Sequence, residues 1–294
     1  MIRVEAATVL LQWSAGGLFF LWFTTRRREV GLGYGWLLRG VYGVLAVVAA
    51  WCGFRFGTVP VREASSIAVA TAAAVALAVS VVRKGAGVSG AEVDHDRRSE
   101  RVAAMTGIDR RTDGTVTAER TDRTGQAADA EFPPALDLVA PIVAIPGLLA
   151  AALDAGGHWP VAVLRTFAGA LFLGAVTDAM LLGHWYLVQP GLPRRHLNDL
   201  VRALGWTWPV EVVAMLLPVG MFAVFSGSVD DGWNGVLGWF WAACAVTTIA
   251  LVFVTRAALK ERYYSAVMAA TGLLYLAILT AFGTDLVARA VLAG

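Results

Sequence analysis

Residues 161–188 read VAVLRTFAGALFLGAVTDAMLLGHWYLV. Written as a helix at about 1.5 Å per residue, this run is long enough to cross roughly 30 Å of hydrocarbon, which takes about 20 residues. Seven further stretches share its apolar character, near 5–25, 35–54, 64–82, 134–153, 204–226, 233–255 and 263–288. The composition leaves few alternatives. With 57% hydrophobic and 16% charged residues, the chain has too little polar surface to enclose a soluble core of this size. The sequence therefore predicts an all-α polytopic transmembrane helical bundle of about eight helices, multi-pass in the cell membrane, with the lipid bilayer as its first partner and no nucleic-acid partner.

Basic residues set the expected orientation, because cytoplasmic loops retain arginine and lysine during insertion. Arg26, Arg27, Arg28 and Arg39 flank the first hairpin, and Arg83 and Lys84 follow the third segment. Arg194, Arg195 and Arg202 flank the hairpin after residue 188, and Arg256, Lys260 and Arg262 flank the last one. All fall on one side of an eight-helix layout, while the opposite loops hold Asp154, Asp230 and Asp231 with scattered arginines such as Arg55 and Arg62. Both termini are then expected outside. The triple arginine after the first segment reads as a stop-transfer signal, against a cleaved leader.

Residues 85–132 form the one long polar stretch, nearly free of aromatic and large aliphatic side chains. Such composition cannot offset ordering entropy, so a charged cytoplasmic linker is expected there. It divides the chain into a three-helix part, 1–84, and a five-helix part, 133–294, a 3+5 arrangement without the internal repeats of many transporters. Asp94-His95-Asp96 within the linker is too short and flexible a set to indicate a metal. Cys52 and Cys244 lie in separate helical segments without CxxC or Cys/His spacing, so neither a metal site nor a disulfide is expected.

Two carboxylates stand out because a charge inside hydrocarbon is costly unless neutralised, paired or hydrated. Asp178 lies in the quoted stretch and Glu211 in the next one. With the turn Pro190-Gly191-Leu192-Pro193-Arg194-Arg195-His196 centred near residue 195, both acids reach similar depth and are expected to meet as a coupled proton or ligand site. Ala170 and Gly174 form a small-xxx-small ridge beside Asp178. Thr207 precedes Glu211 by one turn, and Pro209 and Pro218 interrupt its helix.

The cytoplasmic edge is the second candidate. His184, Trp185 and Tyr186 end one helix, and the same register sets His184 opposite Trp206. Arg194, Arg195 and His196 follow in the turn, so the cluster suits a quinone headgroup, an anionic lipid or simple interface anchoring. Trp159, Trp185, Trp206, Trp208 and Trp233 all fall near expected helix ends, as in an aromatic belt. Asp285 and Arg289, four apart, are expected to pair. The first three helices offer only small polar groups such as Gln12, Ser14 and Thr71, which puts any active centre in the five-helix part. No motif of a nucleotide hydrolase, a metallohydrolase or a serine hydrolase is present, so a stand-alone enzyme is not expected and no cofactor is indicated. The leading reading is a membrane subunit or anchor of a larger complex, quinone-linked or proton-conducting, with redox subunits as partners. A proton- or cation-coupled transporter and an assembly or scaffold protein are the alternatives.

Overall fold

A computed structural model describes residues 5–87, 131–189, 191–229, 231–261 and 263–292. Nearly all of the expected linker, with Asp94, His95 and Asp96, lies outside the described residues. The described chain is helical, with nine α-helices: α1 (Ala6–Thr25), α2 (Leu32–Phe56), α3 (Pro60–Val82), α4 (Val139–Asp154), α5 (Trp159–Trp185), α6 (Arg195–Leu216), the short α7 (Gly220–Phe225), α8 (Val236–Ala258) and α9 (Tyr264–Leu292). A 3₁₀ turn precedes α4 at Pro134–Leu138.

Seven of these helices are long and apolar enough to cross a membrane, and together they define a polytopic bundle. The eighth long helix, α6, is different. Its 22 residues span about 33 Å, but it carries Arg195, Asp199, Arg202 and Glu211. Its buried residues Leu197, Leu200, Val201, Leu204, Glu211, Ala214 and Met215 recur at helical spacing, so one stripe faces the bundle and the polar residues lie mostly on the other side. Hydrogen bonds fix α6 along the whole of α5: Tyr186 Oη donates to the Pro193 carbonyl at one end, and Arg165 Nε to the Ala214 carbonyl at the other.

This helix corrects the expected segment 204–226. The charged stretch at 194–202 is the first part of a helix instead of a loop, and the helix stops at Leu216 because Pro218 disfavours helical backbone at Leu217. The expected run continues only as the separate turn-and-a-half of α7. Trp206 and Trp208 are therefore mid-helix residues: Trp206 is exposed, and Trp208 donates to the carbonyl of Ala245 in α8.

The two parts of the chain interlock. α1 packs on α2 within the first part and on α4 and α5 of the second, while α3 packs on α4. α5 is the hub, touching α1, α4, α6 and α9. At one end Arg39, almost fully buried, forms a two-pronged pair with Asp137 of the 3₁₀ turn at 2.7 and 2.8 Å, under the ring of Phe132. Glu131 pairs there with Arg28. Residues 131 and 132, expected to be linker, are thus docked parts of the bundle. At the opposite end Asp231 accepts the backbone N–H groups of Gly235, Trp233 and Leu237 at the start of α8, which holds its carboxyl below the usual range.

Candidate functional site

The aromatic and basic residues at the end of α5 are brought together, but by structural bonds. Glu29, in the α1–α2 turn, accepts from Arg195 and lies 2.6 Å from His196 Nε2. Gln189 bridges the same turns, donating to the Glu29 carbonyl and accepting from Gly31 N–H and Trp185 Nε1. Arg194 donates to the carbonyls of Glu261 and Tyr263, and Tyr264 Oη to that of Tyr186. Trp185 packs its ring beside Tyr34. This end gathers the loops carrying most of the basic residues and ties together the α1–α2, α5–α6 and α8–α9 turns. His184 is apart from the clamp: its Nδ1 lies 3.3 Å from Tyr275 Oη, both residues are exposed on the outside of the bundle, and Trp206 is elsewhere.

Asp178 and Glu211 are both fully buried, yet they do not meet. The expected register placed the turn centre near residue 195, whereas α5 ends at Trp185 and α6 begins at Arg195, so the centre is near 190. Five residues on each helix sum to a slip of about ten, and Glu211 comes level with the region around Gly169, about 13 Å along α5 from Asp178. Each acid has its own setting.

Asp178 is held by α2. Tyr42 Oη donates to Asp178 Oδ1, and Tyr34 Oη lies 3.5 Å from the Asp178 carbonyl. The Tyr42 ring fits because Gly17 of α1 has no side chain: a Cβ there would fall 2.0 Å from the ring. The three-helix part therefore contributes to the acid's surroundings, through a tyrosine and not through the small polar groups Gln12, Ser14 and Thr71. Asp178 Oδ2 has no protein partner. Replacing Tyr42 by Phe removes the one side-chain donor to this buried acid and should cost about 1–3 kcal/mol of stability. Thermal unfolding in detergent checks this; an unchanged midpoint would mean that Asp178 is satisfied by something other than Tyr42.

Glu211 sits in a second cluster, near the other end of the bundle. Asp285 Oδ1 and Arg289 Nη2 lie against Gly169, where a Cβ would fall 2.7 and 2.3 Å from them, at the level that Glu211 reaches from α6, and Glu211 interacts electrostatically with Asp285, Arg289 and Arg165. Arg289 Nε donates to Asp285 Oδ1 at 2.8 Å, so the expected pair is present, and Arg289 Nη2 donates to the carbonyl of Arg165 at 2.8 Å. Gly169 leaves the space for it: a Cβ there would fall 2.3 Å from Arg289 Nη2. Both oxygens of Glu211 and Oδ2 of Asp285 lack a protein donor, and buried polar atoms without a partner are uncommon. The indole N–H of Trp241, which packs with Met215 and Ala288 next to this cluster, is unpartnered as well. Thr207 does not join them; its hydroxyl donates back to the Leu204 carbonyl.

The sequence reading missed the link between Glu211 and Asp285. The signal for it was the buried stripe of α9, where Ala270, Leu274, Ala277, Ala281, Asp285 and Ala288 repeat at helical spacing and carry the acid inward. Fold and site together define a polytopic integral membrane protein with a carboxyl–arginine cluster inside its helix bundle. Comparison with protein families, curated proteins and solved structures finds no match.

Proposed function

We propose that the chain is a proton-handling protein of the cell membrane, working as a membrane subunit of a larger complex, with Glu211 and Asp285 as its protonatable centre. The observation that carries this reading is the burial of two neighbouring carboxyl groups beside Gly169 and the arginines, three of whose four oxygens have no donor from the protein. Two neighbouring carboxyl groups in a low dielectric resist being ionised together, so one of them favours keeping a proton, and a proton held there can be exchanged. Arg289 and Arg165 offset the remaining negative charge, so the pair can change its proton content without leaving an isolated charge in a low dielectric.

A cleft lined by Arg28, Arg39 and Phe132 lies at the far end of the bundle from this pair. The quinone-linked version of the reading loses the support it drew from the basic aromatic end, because Arg195 and His196 there are engaged with Glu29. A self-contained transporter is the second reading, favoured by the break between α6 and α7 that adjoins Glu211.

The test is to purify the tagged chain in mild detergent, reconstitute whatever stoichiometric assembly accompanies it, and follow proton movement with an entrapped pH dye. Proton movement that is lost in Glu211→Gln and in Asp285→Asn is the expected result. Full movement in the double variant would overturn the assignment, and movement by the solitary chain would favour the transporter reading.

A further inference from the structure

The break after α6 leaves carbonyls that no helical N–H reaches, and one side chain takes them. Arg165, in the second turn of α5, donates through Nε to Ala214 O and through Nη2 to Leu217 O. The same Nη2 lies against Gly220, where a Cβ would fall 3.3 Å from it. Arg165 is half-buried, and Leu217 and Val219 beside it are exposed. Glu211 is less than one turn of α6 from Ala214. The guanidinium therefore stands between the surface at this end of the bundle and the buried carboxyl pair.

Towards Asp178 these helices carry fully buried apolar residues, among them Leu173 and Val176 of α5, Leu204 of α6 and Ala277 and Ala281 of α9, and no buried charged side chain among the described residues is found on them between the two acids. The charged groups facing Glu211 are Arg165 from α5 and Asp285 and Arg289 from α9. From α8 the Trp241 indole packs with Met215 and Ala288, and the Cys244 thiol and the Phe240 ring lie against Gly283.

We propose that in this conformation the Glu211–Asp285 pair exchanges protons only with the compartment at the α6–α7 break, the outer one if the basic loops are cytoplasmic, and that Arg165 is the gate. This rests on the reading of the pair as protonatable, and deepens it by giving the pair one side and one controlling residue. Arg165 acts as a positioning residue: by gripping two carbonyls at the end of α6 it closes the break over Glu211, and loosening that grip admits water to the acids.

The test uses dicyclohexylcarbodiimide on the full chain in sealed, uniformly oriented vesicles, with inner and outer pH set separately. The reagent enters from the bilayer and adds to a carboxyl group, whose proton passes to the reagent nitrogen as the O-acylurea forms, so adduct at Glu211 or Asp285, read by mass spectrometry, reports a proton held there. Labelling should follow the outer pH, ignore the inner pH, and vanish in the Glu211→Gln/Asp285→Asn variant. In Arg165→Lys, which keeps the charge and loses the two-pronged grip, the labelled fraction at equilibrium should stay the same while its response to an outer pH jump becomes severalfold faster. Labelling that follows the inner pH, or both equally, overturns the sidedness. A wild-type response in Arg165→Lys overturns the gate. No labelling at any pH removes both this inference and the proton reading, whereas outer-controlled labelling in a protein that moves no protons leaves the inference standing and removes the function.

Discussion

A Gly174→Leu variant should fail to assemble its bundle, with a loss of more than about 4 kcal/mol, at the upper end of what single substitutions do. The reason is the approach of two backbones. A Cβ at Gly174 would lie 2.3 Å from the Gly16 carbonyl carbon, and one at Gly16 would lie 1.7 Å from the carbonyl oxygen of Ala170. Neither contact is with the movable end of a side chain, so the clash is relieved only if α1 and α5 separate. That separation would propagate. Along the same interface Gln12 Nε2 donates to the Thr166 carbonyl at 2.6 Å and Trp13 Nε1 to the Thr177 hydroxyl at 3.0 Å. Tyr42 also passes over Gly17 to reach Asp178. Gly40 and Gly272 are the controls: each lies in a helix with nothing near the position of an added Cβ, so their alanine variants should be neutral or slightly stabilising. Size-exclusion profiles and thermal unfolding in mild detergent give the comparison. A Gly174→Leu protein as stable as Gly40→Ala would show that α1 and α5 do not meet as described.

That interface shows what the sequence makes legible. Ala170 and Gly174 announce a close helix contact by their spacing alone, and membrane residence follows from the length of apolar runs whatever the neighbours do. The partner of the ridge, Gly16-Gly17, is a pair of small residues in an apolar run and carries no label saying which helix it meets. The register of the α5–α6 hairpin was misread for a physical reason. Arg194, Arg195, Asp199 and Arg202 resemble loop residues by polarity, but they form the hydrated side of an amphipathic helix whose apolar stripe begins at Leu197. A shift in the turn centre counts twice in an antiparallel hairpin, which separated Asp178 from Glu211. Tyr42 was invisible for a different reason: a tyrosine within an apolar helix resembles any packed aromatic residue until the acid it faces is known. Asp285–Arg289 was legible because the pair is local, four residues apart on one helix.

The last of the large effects concerns Arg289. Replacing it by methionine, which preserves much of its aliphatic volume, should cost about 3–5 kcal/mol, as expected when one member of a buried ion pair is removed. Arg289 does two things that methionine cannot. It donates to Asp285 Oδ1, whose other oxygen is already without a donor, and it ties α9 to α5 through the Arg165 carbonyl. Without it Glu211 and Asp285 face each other with Arg165 alone, and Arg165 is engaged by the carbonyls at the end of α6. The sharper measurement is the cycle with Asp285→Leu. If the main loss is the stranded carboxylate, the Arg289→Met/Asp285→Leu variant should recover most of the stability, because a buried pair replaced by apolar groups of similar volume is often neutral. If the main loss is the tie to α5, the double variant should be no better than Arg289→Met. Recovered stability with proton movement abolished would separate the two roles of the cluster, leaving Asp285 dispensable for folding and required for exchange. Recovered stability with proton movement intact would show that the protein's proton chemistry runs elsewhere, and Asp178 with Tyr42 would become the next place to look.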